Sequence, residues 1–222
     1  MTYLTCYTSN MRKVGAFVFV MVVMLVSTAE GQRRRAAPRK PAPPLPMKKE
    51  MARVACAESL GTGVKTFMAF CFVLAGRDPA QGVKVTLPPH TGPATLIFDL
   101  HNRHTYSEDD MQAGRSFAQY RAVIGVLTPS GELVNRAAVQ SEFRAERDLY
   151  DRISGGAGPG GLKAVAPIGR EQIILTIPAG IDQVSLLGEV LDATTAAGRE
   201  TATPGRPVAI VSNVRVEYTP KR

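Results

Sequence analysis

The segment QYRAVIGVLTPSGELVNRAAVQ, residues 119–140, decides the fold class of this chain. Every second residue from Tyr120 to Val126 is apolar, and successive side chains of a β-strand point to opposite faces of a sheet. Residues 128–131, TPSG, then supply the proline and glycine that favour a tight turn, and a second extended run follows. The segment therefore predicts a β-hairpin with one buried face.

The same alternation recurs along the chain after residue 53. Apolar side chains alternate at Val83, Val85 and Leu87; at Leu96, Phe98 and Leu100; at Ile173, Leu175 and Ile177; and at Val208, Ile210, Val214, Val216 and Tyr218. Residues 64–74, VKTFMAFCFVL, are apolar on both faces, which predicts a central strand. The pattern predicts an all-β domain over residues 54–222, an antiparallel β-sandwich of jelly-roll or Greek-key type.

The segments between these runs predict turns, loops and little helix. Glycine and proline mark four irregular segments: residues 88–93, 154–161, 178–180 and 193–206. Of these, 178–180 is expected to be a hairpin turn. Ser107 is expected to cap a short helix. Residues 141–153 favour either an extended strand or a short helix, and Asp148 and Asp151 within them are expected at the surface.

The positive charge of the chain is concentrated near its N-terminus. The net charge is +8 over 222 residues. Residues 30–53 hold eight Lys and Arg against two Glu, whereas residues 54–222 hold 17 of each sign. The predicted domain is therefore formally neutral, which argues against a basic nucleic-acid-binding face as a property of the fold.

The first 29 residues have the pattern of a secretory signal peptide. Arg12 and Lys13 precede the uncharged apolar run Val14–Val26, and small residues follow up to Ala29. This predicts cleavage after Ala29, with residues 1–10 as an upstream extension. The alternative is an uncleaved membrane anchor, but a helix of this run would reach only about 20 Å, short of a hydrocarbon core of about 30 Å.

Residues 30–53 are expected to form a basic, proline-rich linker. Five prolines between Gln32 and Lys49 remove backbone donors and fix φ, which favours an extended spacer. Clustered cations in such a spacer can also attract polyanions such as anionic lipid or wall polymer.

The cysteine pattern allows one disulfide in the predicted domain. Cys6 lies in the leader, which leaves Cys56 and Cys71 as a pair that an oxidising compartment would permit to bond. A tight hairpin turn at residues 60–63 would place the two too far apart, so the bond requires a wider loop or a first segment on another strand. Two buried free thiols remain the alternative.

The densest polar segment, residues 99–110, is the candidate functional site. Asp99 and His101 are expected to point away from the core at the end of a strand, where β-sandwiches usually carry binding loops. The candidate ligand-binding side chains are Asp99, His101, Arg103, His104 and Tyr106. Tyr106 and Tyr150 are the tyrosines free to contact a ligand, because Tyr120 and Tyr218 fall on apolar faces.

Three functions remain open at this point. The first is an exported, non-catalytic binding or interaction module of the cell envelope, periplasmic or secreted, that uses the loops at residues 99–110 and 154–161. The second is a metal-dependent enzyme or hydrolase that uses Asp99, His101 and His104, with a calcium site at Asp109 and Asp110 as a variant. The third is a structural envelope component whose basic linker holds it to polyanions. No recognised catalytic motif or cofactor-binding motif is found, so the first is preferred.

Overall fold

The computed structural model describes residues 43, 45–103, 107–154 and 168–221. Within them the chain forms two antiparallel sheets, numbered here in chain order. The first sheet contains β1 (Lys48–Met51), β3 (Glu58–Gly63), β4 (Ala69–Leu74), β6 (Ala94–Asn102), β9 (Ile153–Ser154), β10 (Ile168–Ile177) and β13 (Pro207–Tyr218). The second contains β2 (Arg53–Ala55), β5 (Val83–Thr86), β7 (Ala118–Leu127), β8 (Leu133–Phe143), β11 (Gln183–Thr195) and β12 (Gly198–Thr201). The all-β prediction is confirmed.

In both sheets, most strands that lie side by side are not consecutive in the chain. The first sheet runs β10-β6-β13-β4-β3-β9, with β1 beside β13, and the second runs β2-β5-β11-β7-β8, with β12 beside β11. Helix is short: α1 (Glu108–Gln112) and the 3₁₀ turns Pro79–Gln81 and Glu146–Asp148. The Ser107 hydroxyl accepts the Asp110 N–H at 3.3 Å, so the predicted helix cap is present. No helix in the described ranges is long and apolar enough to cross a membrane.

The two sheets pack through one apolar core, as in a β-sandwich. The buried side chains that alternate along β6 and β7 face each other across it, as the sequence predicts: Leu96, Phe98 and Leu100 from the first sheet, and Tyr120, Ala122, Ile124 and Val126 from the second. Tyr218 is also buried in this core. The hairpin predicted at residues 128–131 joins β7 to β8, with the Thr128 N–H donating to the Glu132 carbonyl oxygen at 2.8 Å.

A second, smaller core covers the outer face of the first sheet. Leu60, Phe70, Ile153 and Ile210 are buried there, with Tyr150 packed against them. Residues 145–154, which we call the strap, lie over this face. Residues 141–153 are predicted to form either an extended strand or a short helix, and the structure contains both. β8 extends to Phe143, and the strap then forms the 3₁₀ turn and begins β9. The prediction that Asp151 is a surface charge is wrong, since its exposed fraction is 4%.

A β-bulge in β13 explains why Ile210 is not in the main core. The sequence places Ile210 on the same face as Val214 and Val216, and this prediction is wrong. The pairing of β13 with β6 shifts register between Ser212 and Arg215, and Asn213 has a φ of 53°. One extra residue reverses the direction of the side chains that directly precede it. Ile210 therefore points outward, and Val211 points into the main core in its place.

Three other segments differ from the sequence prediction. The central strand expected from Val64 begins at Ala69, because residues 64–67 form the exposed turn between β3 and β4. Residues 178–180 join β10 to β11 across the two sheets rather than within a hairpin. The loop expected at residues 193–206 contains the pairing of β11 with β12, with Thr195 opposite Gly198. The strand β12 is polar and exposed, so the alternation of apolar side chains did not reveal it.

The N-terminal arm of the described chain contributes a strand to each sheet. β1 pairs with β13 and β2 pairs with β5, so sheet pairing begins inside the segment predicted as linker. Between them, the Ala52 N–H donates to the Val214 carbonyl oxygen at 3.0 Å. A disulfide joins Cys56, just after β2, to Cys71 in β4, with a Cα–Cα distance of 5.4 Å. The bond forms because Cys56 lies on the crossing between sheets and the β3–β4 turn lies at residues 64–67. The leader, residues 1–29, lies outside the described residues.

Candidate functional site

Among the described residues of the predicted site, the structure separates Arg103 from Asp99 and His101. Asp99 and His101 lie on the outer face of the first sheet, opposite the main core, as the alternation predicts. Both are nevertheless fully buried, because the strap covers this face. Arg103 follows β6 and reaches a different place, a cleft at the end of the sandwich. His104 and Tyr106 lie outside the described residues.

His101 is held by hydrogen bonds at both ring nitrogens. Its Nδ1–H donates to the Gly169 carbonyl oxygen at 2.6 Å, and its Nε2 accepts from the Ser212 hydroxyl at 2.9 Å. The ring stacks on Tyr150 with centroids 4.9 Å apart, so Tyr150 is not free to contact a ligand. Burial lowers the pKa of His101, although the Gly169 hydrogen bond and nearby Asp99 act in the opposite direction.

Asp99 forms the second half of this buried polar cluster. Its Oδ2 accepts from the Asn213 side-chain amide at 2.9 Å and lies 3.2 Å from Nε of Arg170. The positive φ of Asn213 belongs to the bulge in β13, so the bulge also delivers a hydrogen-bond donor to the buried carboxylate. Arg170 is half-exposed and pairs with Asp99 from the solvent side.

The hydrogen bonds of the buried cluster hold His101 in place. Both His101 nitrogens are engaged, so neither can bind a metal in this arrangement. Within the described residues, no group of three or more His, Cys, Asp and Glu could hold a metal ion. Ser212 and His101 are as close as a nucleophile and its base, but Ser212 is 1% exposed and cannot meet a substrate. At the calcium variant, the Asp110 carboxylate pairs with Arg115 at 3.1 Å.

The burial of His101 makes stability depend on pH. The unfolded chain takes up a proton on this imidazole near pH 6.5, whereas the folded chain resists it because the pKa of His101 is lowered. The unfolded state then binds more protons, so the free energy of unfolding falls as pH drops through about 6.5 and is fully retained above it. Urea unfolding between pH of about 7.5 and 5.5 measures this slope. His101→Gln should flatten the slope, and an unchanged slope would contradict the assignment.

The cleft that contains Arg103 is formed where three strands end. Arg103 follows β6, Phe117 precedes β7, and the turn between β11 and β12 supplies Ala197. We call it the Arg103 cleft; it has a volume of about 320 Å³. Its lining combines charged, hydroxyl, aromatic and small apolar side chains, which is typical of sites for small molecules.

Paired charges and a buried tyrosine define the polar part of this cleft. Arg103 forms an ion pair with Glu200 of β12 and lies close to the Tyr120 hydroxyl. The Tyr120 hydroxyl in turn donates to the Val208 carbonyl oxygen. Burial raises the pKa of Tyr120 well above its usual range, partly offset by Arg103. This phenol therefore stays protonated and acts as a fixed hydrogen-bonding group at the base of the cleft.

A second cleft lies at the other end of β13. It is wider, about 720 Å³, and is lined by Pro89, His90, Asp182 and Tyr218 among others. We call it the Tyr218 cleft. Sequence reasoning found neither cleft, except for Arg103, because both are assembled from segments far apart in the chain. The signal that was available for the Arg103 cleft was the polar end of the β6 run.

Comparisons with known proteins give no family for this chain. No protein-family model matches it, and no curated protein matches it. Among solved structures, a chain of the T13 IBDV viral particle is 13% identical, with 78% of this chain and 41% of that chain covered and a TM-score of 0.18. This chain spans less than half the length of that one, and a likeness at this TM-score defines neither fold nor function.

Proposed function

We propose that this chain is an exported, non-catalytic binding module of the cell envelope, a β-sandwich of jelly-roll or Greek-key type that holds a small molecule in the Arg103 cleft. The observation that carries the proposal is the convergence on one cleft of Arg103, at the end of β6, with Phe117 and Tyr120, at the start of β7. Loops at the ends of a rigid sandwich are common places for binding sites. The buried Asp99 and His101, by contrast, are committed to hydrogen bonds within the protein.

The N-terminal arm and the Arg103 cleft lie at opposite ends of β13, which supports a cleft that faces away from the N-terminal attachment. Lys48, where the N-terminal arm enters the first sheet, lies opposite Tyr218 at the end of β13. Tyr120 in the Arg103 cleft donates to Val208, near the start of β13. A domain tethered or exported through its N-terminus would therefore present the Arg103 cleft at the far end. The Cys56–Cys71 disulfide fits an oxidising compartment, where such bonds persist.

A cleft-filling substitution tests the binding function. Ala197→Trp places a large side chain in the Arg103 cleft, and we expect it to abolish binding of aromatic fragments such as phenylacetamide and phenylacetate. Ala179→Trp, in the exposed turn between β10 and β11, is the matched control and should leave binding unchanged. The measurement is two-dimensional NMR of the exported protein, whose mass should correspond to a chain that begins at Glu30.

The position of the chemical-shift changes decides the outcome. Shifts at Phe117 and Tyr120 that disappear in Ala197→Trp support the proposal. Shifts confined to residues of the Tyr218 cleft, or no shifts with any fragment of the panel, would overturn it. An unprocessed leader on a protein retained inside the cell would overturn the export half.

A further inference from the structure

The turn between β3 and β4 presents apolar side chains to solvent. Phe67 is 83% exposed and Val64 is 57% exposed. Lys65 and Thr66 lie between them in sequence. Large apolar side chains singly exposed are ordinary, but two at the tip of one hairpin form a local apolar patch. We call residues 64–67 the hairpin tip.

The backbone of the hairpin tip is strained at its most exposed residue. Phe67 has a φ of 57°, in the left-handed region that a bulky non-glycine residue rarely adopts. Its N–H donates to the Gly63 carbonyl oxygen at 3.0 Å, which closes the turn. Glycine would fit this position without strain. A phenylalanine here therefore lowers stability, and its side chain buries almost no apolar surface in return. This points to a role in binding rather than in folding.

The strap holds the hairpin tip rigid from below. The Asp151 carboxylate accepts the N–H groups of Lys65 and Thr66, both at 3.0 Å, and the Thr66 hydroxyl at 2.5 Å. The Val64 N–H donates to the Arg152 carbonyl oxygen at 2.8 Å. A tip fixed in this way loses little conformational entropy when it binds, so its exposed side chains are preorganised for contact.

The hairpin tip carries one cation, and the same sheet has a further exposed apolar side chain at Met51. β1 and β4 pair with the same edge of β13, where Met51 lies opposite Arg215 and Phe70 opposite Ser212. Met51, which is 62% exposed, is thus about 10 Å along the sheet from Phe70. Lys65 in the tip is an exposed cation with no ion pair among the described residues.

We propose that the hairpin tip is a membrane-docking element, which inserts Phe67 and Val64 into the interface of a bilayer that contains anionic lipid. A stable protein interface requires about 800 Å² from each partner, far more than two tip side chains supply. A bilayer requires only shallow burial of apolar side chains together with attraction of cations to its headgroups. The apolar tip with Lys65 between its two anchors matches that chemistry.

A single tryptophan reports on insertion directly, because the chain has none. Phe67→Trp in the exported protein should show a blue-shifted emission, and quenching by brominated lipid, with vesicles of phosphatidylcholine and phosphatidylglycerol. Ile174→Trp, at an exposed apolar position on β10, is the matched control and should show neither change. Equal responses of the two variants, or no response of Phe67→Trp, would overturn the proposal, the latter leaving a protein partner as the occupant.

A second variant separates docking from folding. Phe67→Gly should weaken partitioning onto these vesicles about tenfold, since it removes the aromatic side chain that the bilayer would bury. The same variant should raise Tm, because glycine relieves the positive φ. Vesicle binding equal to that of the unmodified protein would contradict the proposal even if Tm rises.

Discussion

Replacing Asp151 with alanine is expected to lower the free energy of unfolding by about 3 to 4 kcal/mol. The carboxylate is buried and accepts hydrogen bonds from Lys65, Thr66 and Arg152, so its removal leaves several donors without a partner. It also disconnects the strap from the hairpin tip. Chemical denaturation measures the change, and the exposed Asp109→Ala on α1 should stay within about 0.5 kcal/mol of the unmodified protein.

Acid should produce part of the same loss. Burial alone raises the pKa of the Asp151 carboxyl, but hydrogen bonds from Thr66, Lys65 and Arg152 outweigh it and hold the pKa below its usual range. The contribution to stability is complete above the unfolded value of about 3.9 and disappears as pH falls through the lower folded value. Asp151→Ala should lack this part of the acid transition. A variant as stable as the unmodified protein would show that the carboxylate does not hold the strap.

Loss of the Cys56–Cys71 disulfide is expected to cost about 3 kcal/mol. The bond closes a loop with a sequence separation of 15 residues, and in the chain-entropy model its main effect is to restrict the unfolded state. Unfolding of the protein with and without reductant measures the cost. Cys56→Ala combined with Cys71→Ala is the control, because reductant should cause no further change in it.

The outcome of this experiment distinguishes a structural bond from an incidental one. Cys71 is 4% exposed and packs in the main core, so the double alanine variant also loses some packing. Equal stability of the oxidised and reduced protein would show that the bond adds nothing to the fold.

The sequence predicted strands well where one face meets the main core. The β7–β8 hairpin and the buried faces of β6 and β7 follow from side chains that alternate with a period of two. The sequence prediction failed where the strands do not follow this alternation. The bulge at Asn213 turns Ile210 of β13 away from the main core. The exposed strand β12 has no buried face that a pattern of apolar residues could mark. The bulge is defined by pairing with β6, which lies far away in the chain, whereas β12 pairs with the adjacent β11 and all four of its residues are exposed.

The candidate site was less predictable for a related reason. Asp99 and His101 were expected to be solvated because the sequence shows only that they point away from the main core. The strap that covers them joins the sheet from a segment about 50 residues later, through Tyr150 and Ile153. Arg103 was identified by its place at the end of a strand, but Tyr120 and Glu200 of the same cleft come from strands that only the fold brings together.

The N-terminal arm has a mechanical consequence. A pull on the chain from the N-terminal side would first detach β1 from β13 and then β2 from β5, since these short pairings come earliest along the chain. Unravelling would stop at Cys56, where a covalent bond transmits the load to β4 in the middle of the first sheet. The disulfide thus acts as a stop that keeps most of the domain intact under tension.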